Sequence, residues 1–281
     1  AILGFVNTLH EVIQKEQPSH LGVAFDPSGP TFRDEAFADY KAQREKTPED
    51  IKLSVPIIKQ VLEAMNIPIL EVKGYEADDV IGTLATQASH FDMETYMLTP
   101  DKDYGQLVKE NVFIYRPRHG GGYEILGVEQ IKEKYQIESP SQVIDILALM
   151  GDSADNFPGC PGVGEKTAIK LINDFKSINN LLENTNQLKG KLKEKVESAV
   201  DDIKMSNFLA TIKTDVPIEL NLTDLQLTPP NEEKLRALFD ELEFRTLANK
   251  FFKKTENIQT KDNSQLNLFE EFTSNDAVEF D

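Results

Sequence analysis

Short apolar runs alternate with helix-periodic stretches through the first half of this chain, and that alternation constrains the fold more than any other feature. Residues 1–16 (AILGFVNTLHEVIQKE) carry apolar side chains at helical spacing. His20–Phe25 is a short apolar run that ends at Asp26 and a Pro-Ser-Gly-Pro turn, so it reads as strand then loop. The same reasoning predicts a helix over 54–66, a strand over Ile67–Val72, a helix over 77–89, and strands over Thr95–Thr99 and Val112–Tyr115. Strands alternating with helices imply an α/β fold with a mostly parallel, twisted sheet flanked by helices. After about residue 140 the strand signals fade, and helices are predicted over 141–150, 165–175, 177–184, 188–201 and 232–250.

Carboxylates gather where these strands end. Asp26 follows one strand, Asp101 and Asp103 follow another, and Glu76, Asp78 and Asp79 follow a third after a short loop. Asp152 and Asp155, in Gly151-Asp-Ser-Ala-Asp-Asn156, add a further pair at the start of the helical region. Open α/β sheets bind ligands in the crevice at the carboxyl ends of their strands. Each acid alone reads as a helix cap or a solvated side chain. Together they form an oxygen-only donor set suited to hard divalent cations, Mg²⁺ or Mn²⁺, and are numerous enough for two ions. Two ions a few ångströms apart stabilise the attacking and leaving oxygens of a phosphoryl displacement.

Two further segments bear on the partner. Residues 157–168 (FPGCPGVGEKTA) place Gly159 and Gly164 at the spacing of a nucleotide-binding phosphate loop, but Glu165 stands where that loop needs lysine. The stretch reads instead as a helix-hairpin-helix type turn, its backbone N–H groups and the lysines Lys166 and Lys170 able to hold a backbone phosphate. In residues 31–46, Arg33, Lys41 and Arg44 interleave with Phe32, Phe37 and Tyr40. Read as a helix, this segment sets Tyr40, Lys41 and Arg44 side by side, with a cation for a scissile phosphate and a ring for an unpaired base.

The formal net charge of −18 argues against nucleic acid if taken alone. Glu256 to Asp281, however, carries seven acids and one base (Lys261), a third of that net charge. This tail is poor in apolar residues and reads as a disordered linker. The single Cys160 leaves no disulfide framework, and with no signal peptide or membrane-length apolar run in view, a reducing cytoplasm is the expected location.

The ordered motifs resemble the 5′-nuclease (5′-3′ exonuclease) domain of the bacterial DNA polymerase I family, within the flap-endonuclease superfamily. They are Val23-Ala-Phe-Asp26, Thr31-Phe-Arg33, Tyr40-Lys-Ala-Gln-Arg44, Glu76-Ala-Asp-Asp79, Thr99-Pro-Asp-Lys-Asp103, Gly151-Asp-Ser-Ala-Asp-Asn156, Gly159-Cys-Pro-Gly-Val-Gly-Glu-Lys-Thr-Ala168 and Leu242-Glu-Phe-Arg245. The resemblance implies an α/β nuclease core over 1–140 with an arch segment at 31–50, and a helical helix-three-turn-helix region over 141–254 with its glycine loop at 159–168. A linker over 255–281 follows. It implies metal-dependent hydrolysis of DNA at a 5′ end or 5′ flap, as in primer removal and repair. Asp26, Glu76, Asp78 and Asp101 look like a first metal cluster and Asp103, Asp152 and Asp155 like a second, with Asp79 and Asp101 assisting both. Lys41 and Arg44 look like arch residues on the scissile phosphate. Gly162, Val163, Gly164, Lys166 and Thr167, with Lys170, look like a grip on duplex DNA that includes a monovalent cation such as K⁺. The family also carries a strand with another metal-binding Asp ahead of the position where this chain starts, and polymerase domains beyond the linker. In the tail, Gln265-Leu-Asn-Leu-Phe269 resembles a motif that docks into the sliding clamp.

Two other readings belong beside this one. A non-catalytic DNA-binding module would bind without cleaving in Mg²⁺. A ribonuclease of the related toxin type would share the acid-rich α/β site, but not the helical region with its glycine loop.

Overall fold

The computed structural model describes residues 1–252. In chain order its helices are α1 (Ile2–Glu16), α2 (Phe32–Ala36), α3 (Glu49–Ala64), α4 (Ala77–Ala88), α5 (Val128–Tyr135), α6 (Val143–Met150), α7 (Glu165–Phe175), α8 (Ile178–Glu183), α9 (Gly190–Ser198), α10 (Val200–Ala210), α11 (Leu222–Leu225) and α12 (Glu232–Glu241). The strands are β1 (Val23–Ala24), β2 (Ile69–Leu70), β3 (Thr95–Leu98), β4 (Val112–Pro117) and β5 (Tyr123–Leu126). The expected α/β class followed by a helical region holds. β1 runs parallel to β2, with Val23 opposite Ile69, and β3 runs parallel to β4, with Met97 opposite Ile114. β5 joins β4 antiparallel, which the sequence reading missed along with α5.

Other expectations need trimming. The run Ile67–Val72 is paired only at Ile69–Leu70. The helix expected over 188–201 is two, α9 and α10, meeting at Ala199. The helix expected over 232–250 stops at Glu241 because Glu243 turns left-handed at φ 57°, and helix resumes only at 245. A single left-handed residue is enough to end the ladder of backbone hydrogen bonds.

The chain forms two compact units. One comprises Ala1–Leu21, Thr47–Pro68 and, among the described residues, Leu225–Phe252. Here α3 packs against α1 and α12, burying Val6, Val61, Leu62, Leu235 and Phe239. The other comprises Gly22–Lys46 and Ile69–Asp224 and holds every strand of the described residues. Its core is built around α6, whose Val143, Ile146, Leu147, Ala148 and Leu149 are fully enclosed between α7 and α10. In α7 the spacing Ala168, Leu171, Ile172, Phe175 turns one stripe inward. In α4, Val80, Leu84 and Ala88 do the same, and the first turn of α4 meets Asp26, just after β1, through the Ala77 N–H; the strands form two sheets, β1-β2 and β3-β4-β5, rather than one.

Candidate active site

All eight acids singled out from the sequence lie in the second unit. Asp26 follows β1 and is exposed, its carboxylate accepting the Ala77 N–H at 2.8 Å. That contact seats Asp26 on the positive end of α4. Glu76 is the residue before α4, and its own N–H donates to Asp79 at 3.0 Å. Asp79 is fully buried and takes two prongs from Arg33, at 2.7 and 2.8 Å, plus the Lys213 N–H at 2.8 Å. Asp78 points the other way and accepts the Tyr104 hydroxyl at 2.6 Å. Asp101, exposed after β3, caps the following 3₁₀ turn by accepting the Asp103 N–H at 2.9 Å.

The segment carrying Arg33, Tyr40, Lys41 and Arg44 corrects two expectations. It is not one helix: α2 ends at Ala36, turns follow, and Lys41 sits at φ 53°, a left-handed conformation that non-glycine residues seldom adopt. Nor do Arg33 and Tyr40 face outward. Arg33 is 2 % exposed, and besides Asp79 it donates to Glu76 at 3.1 Å and to the carbonyls of Leu209 and Thr211 at 3.0 and 2.7 Å. A charge that deep persists only when its donors are filled, and these are. Tyr40 is buried with its hydroxyl 3.1 Å from Glu76, so its ring packs in the core rather than offering a face to a base. Lys41 and Arg44 do reach the acids: Lys41 Nζ is 2.5 Å from Glu76, and Arg44 pairs with Asp155. The Lys41 N–H also donates to the Asp155 carbonyl at 2.9 Å, pinning the turn to the loop after α6.

That loop is made by close backbone approach. Asp152 and Phe157 exchange backbone hydrogen bonds, both 3.1 Å, folding 152–157 into a tight hairpin. Gly159 closes it at φ 60°, and a Cβ there would lie 2.2 Å from the Gly151 nitrogen. Within the hairpin Asp152 accepts the Ala154 N–H at 2.7 Å and Lys102 Nζ at 2.9 Å. Lys102 and Tyr104 flank Asp103 in the sequence, and the folded chain brings them to Asp152 and Asp78.

The acids feel one another. Burial first, then Glu76 and Asp101, push Asp78 up to about 6 against the opposing Tyr104 hydrogen bond. Burial, then Asp101, with smaller pushes from Asp152 and Asp155, raises Asp103 to about 7. Asp152 goes the other way: desolvation is outweighed by Lys102 and the Ala154 amide, which lower it. Asp103 Oδ1 is buried with no hydrogen-bond partner. Among the described residues no group of three or more His, Cys, Asp or Glu is arranged as a ready cage for an ion. The two expected clusters are therefore not assembled as cages: Lys41 and Arg33 take Glu76, Lys102 takes Asp152 and Arg44 takes Asp155. The donor chemistry nevertheless fits a hard divalent cation, being all oxygen, with two members raised by burial and by neighbouring acids, and left with one buried oxygen unsatisfied.

The glycine loop precedes α7, whose N-cap is Gly164. Gly162, Gly164, Lys166 and Lys170 are exposed and Thr167 is half-buried. Val163 is not a surface residue: it is 4 % exposed and anchors the loop in the core. Lys195, on α9, lies with its Nζ 3.5 Å from the Gly162 carbonyl. The alternating lysines 189, 191, 193 and 195 signalled this second basic element in the sequence.

Residues 1–136 match the family described as 5′-3′ exonuclease, N-terminal resolvase-like domain, and residues 138–233 match the 5′-3′ exonuclease C-terminal SAM fold. A 5′-3′ exonuclease of Aquifex aeolicus is 40 % identical over 247 residues, covering 88 % of this chain and 83 % of that one. DNA polymerase I of Bacillus subtilis is 44 % identical over 249 residues, again 88 % of this chain but only 28 % of the polymerase's length. In fold, the T5 D15 protein co-crystallised with metal ions superposes with a TM-score of 0.66 at 18 % identity, over 92 % of each chain. The chain belongs to the 5′-3′ exonuclease family of nucleases.

Proposed function

We propose that this nuclease hydrolyses phosphodiesters of DNA at a 5′ end or 5′ flap, and that it does so with two divalent cations, Mg²⁺ or Mn²⁺. Asp26, Glu76, Asp78 and Asp101 would hold one ion and Asp103, Asp152 and Asp155 the other, with Asp79 supporting Glu76 and Asp101 shared. The carrying observation is the buried, unpartnered Asp103 Oδ1, whose carboxyl is raised to about 7 by burial first and by Asp101, Asp152 and Asp155 after it. Bound ions would stabilise the attacking and leaving oxygens and generate a hydroxide near neutral pH.

The chain's own side chains supply the rest. Lys41 and Arg44, now neutralising Glu76 and Asp155, are mounted on one turn and reach the same acids a scissile phosphate would approach. Exchanging a carboxylate for a phosphate oxygen preserves their charge-assisted hydrogen bonds. Arg33 holds Asp79 and Glu76 from below, and Tyr40 orients Glu76. The reading assigns duplex DNA, with a monovalent cation such as K⁺, to the glycine loop 159–168 through Gly162, Gly164, Lys166, Thr167 and Lys170, whose contacts would be to phosphate rather than base.

The deciding experiment is cleavage of a labelled 5′-flap duplex in Mg²⁺ and in EDTA, with Asp103→Asn alongside. Cleavage that requires Mg²⁺ and collapses in the variant supports the reading. DNA binding without any cleavage in Mg²⁺ would instead favour the non-catalytic module.

Polymerase domains within a longer chain belong to the same reading, prompted by the DNA polymerase I relatives. The segment Gln265–Phe269 and the linker expected over 255–281 lie outside the described residues. That segment would dock weakly into a sliding clamp, and equal clamp affinity after Leu268→Ala/Phe269→Ala would dispose of this. Among the described residues no helix is long and apolar enough to cross a membrane.

A further inference from the structure

Beside the acids stands an aromatic cluster that the proposed chemistry does not use. Phe32 sits at its centre. Its ring centroid lies 5.7 Å from that of Tyr75 and 5.8 Å from that of Phe208, the latter edge-on at 86°. The ammonium of Lys213 lies 5.6 Å from the same Phe32 centroid. Phe208 is 40 % exposed on the last turn of α10, and the Lys213 side chain is 38 % exposed, with its nearest carboxylate, Asp215, 4.0 Å away. A large exposed ring beside a loosely paired cation is not what a core needs.

The cluster is mechanically joined to the acids. Phe32 precedes Arg33 and Tyr75 precedes Glu76. Phe208 precedes Leu209, whose carbonyl accepts from Arg33 at 3.0 Å. Lys213 itself donates its backbone N–H to Asp79 at 2.8 Å. Each member of the cluster is therefore held within one residue of a group bonded in the acidic site, and the frame that fixes Asp79 also fixes the rings.

We propose that Phe32, Tyr75, Phe208 and Lys213 form a stacking shelf for an unpaired base of the strand whose backbone enters the acidic site, with Phe208 as the exposed contact and Lys213 meeting the adjoining phosphate. Aromatic faces next to a cation are how proteins hold single strands without reading sequence, since every base presents a π face. The occupant follows from position and charge: the rings lie one residue from groups bonded in the acidic site, and an apolar peptide would gain nothing from Lys213. The proposal rests on the nuclease reading above, but its test separates the two.

A 5′-flap duplex carrying 2-aminopurine at the first unpaired nucleotide is titrated with the full chain in EDTA, which suppresses hydrolysis, and a second flap is abasic at that position. With the wild-type protein the fluorophore is quenched, and the abasic flap binds about 5- to 100-fold more weakly, the range one stacked base represents. In Phe208→Ala the quenching is lost and the abasic penalty largely vanishes, while Phe208→Trp retains both. Equal wild-type affinity for the two flaps overturns the shelf without using any variant. So does a Phe208→Ala protein of native circular dichroism that quenches like wild type. Failure of the wild type to bind any 5′-flap duplex, both in EDTA and with Ca²⁺ in place of Mg²⁺, would overturn the nuclease reading itself, and the shelf with it.

Discussion

Arg33 and Asp79 form a two-pronged ion pair, 2.7 and 2.8 Å, with the arginine 2 % and the aspartate 0 % exposed. The pair ties α2 to the first turn of α4, and through Leu209 and Thr211 it also ties in the end of α10. It is the joint on which Glu76 and Asp78 are mounted, not a surface contact for DNA.

Removing one half of such a pair strands a buried charge. Arg33→Met is expected to cost about 3–5 kcal/mol, read as a fall in the urea midpoint. Arg33→Met/Asp79→Leu should recover a large part of that loss, because no charge is left unpaired. Losses that simply add in the double variant would contradict the coupling.

Asp103 and Asp78 give stability a pH dependence in the absence of divalent ions. Their folded values, about 7 and about 6, lie above the usual carboxylate range. Between the ordinary value of roughly 4 and those values the folded state binds more protons than the unfolded chain, so stability falls as pH rises through this window and levels off above about 7. In EDTA, melting temperature should therefore decline from pH 5 to pH 7.5, and Asp103→Asn should flatten the decline and be the more stable protein at pH 8. A wild-type profile that rises over this window would show the sign to be wrong.

Lys41 pairs with Glu76 at 2.5 Å, so under the proposed metal assignment it would compete with a cation for that carboxylate. Lys41→Met should tighten Mn²⁺ binding on the order of 5-fold, the worth of one partly exposed ion pair, measured by calorimetry without DNA. The same variant should cleave a 5′ flap more slowly, having lost its cation for the phosphate. Tighter metal with weaker catalysis is the signature; weaker metal binding would assign Lys41 a structural role instead.

Gly159 has no room for a side chain, since a Cβ would meet the Gly151 nitrogen at 2.2 Å in a left-handed conformation. Gly159→Ala should cost more than the roughly 1 kcal/mol of backbone strain alone, and should loosen the 152–157 hairpin that presents Asp152 and Asp155. Faster amide hydrogen exchange at Phe157 would register this, its N–H being the bond across the hairpin. Unchanged exchange there would separate the glycine from the hairpin.

The alternation of apolar runs with helical periods, the acids at the ends of those runs and the helix that opens at Glu165 were all legible in the sequence. Each depends on residues a few positions apart, where strand pleat and helical pitch are set. The sequence did not show β5, the break at Glu243, or which way the side chains of residues 33–44 face. Tyr40 and Arg33 looked like surface groups because aromatics interleaved with bases resemble a nucleic-acid face, but tertiary packing enclosed both. Lys41 with Glu76, Lys102 with Asp152 and Arg44 with Asp155 are pairs between distant segments. A local pattern announces that charge is present, whereas only the folded chain determines which charge neutralises which, because Coulomb energy depends on separation in space.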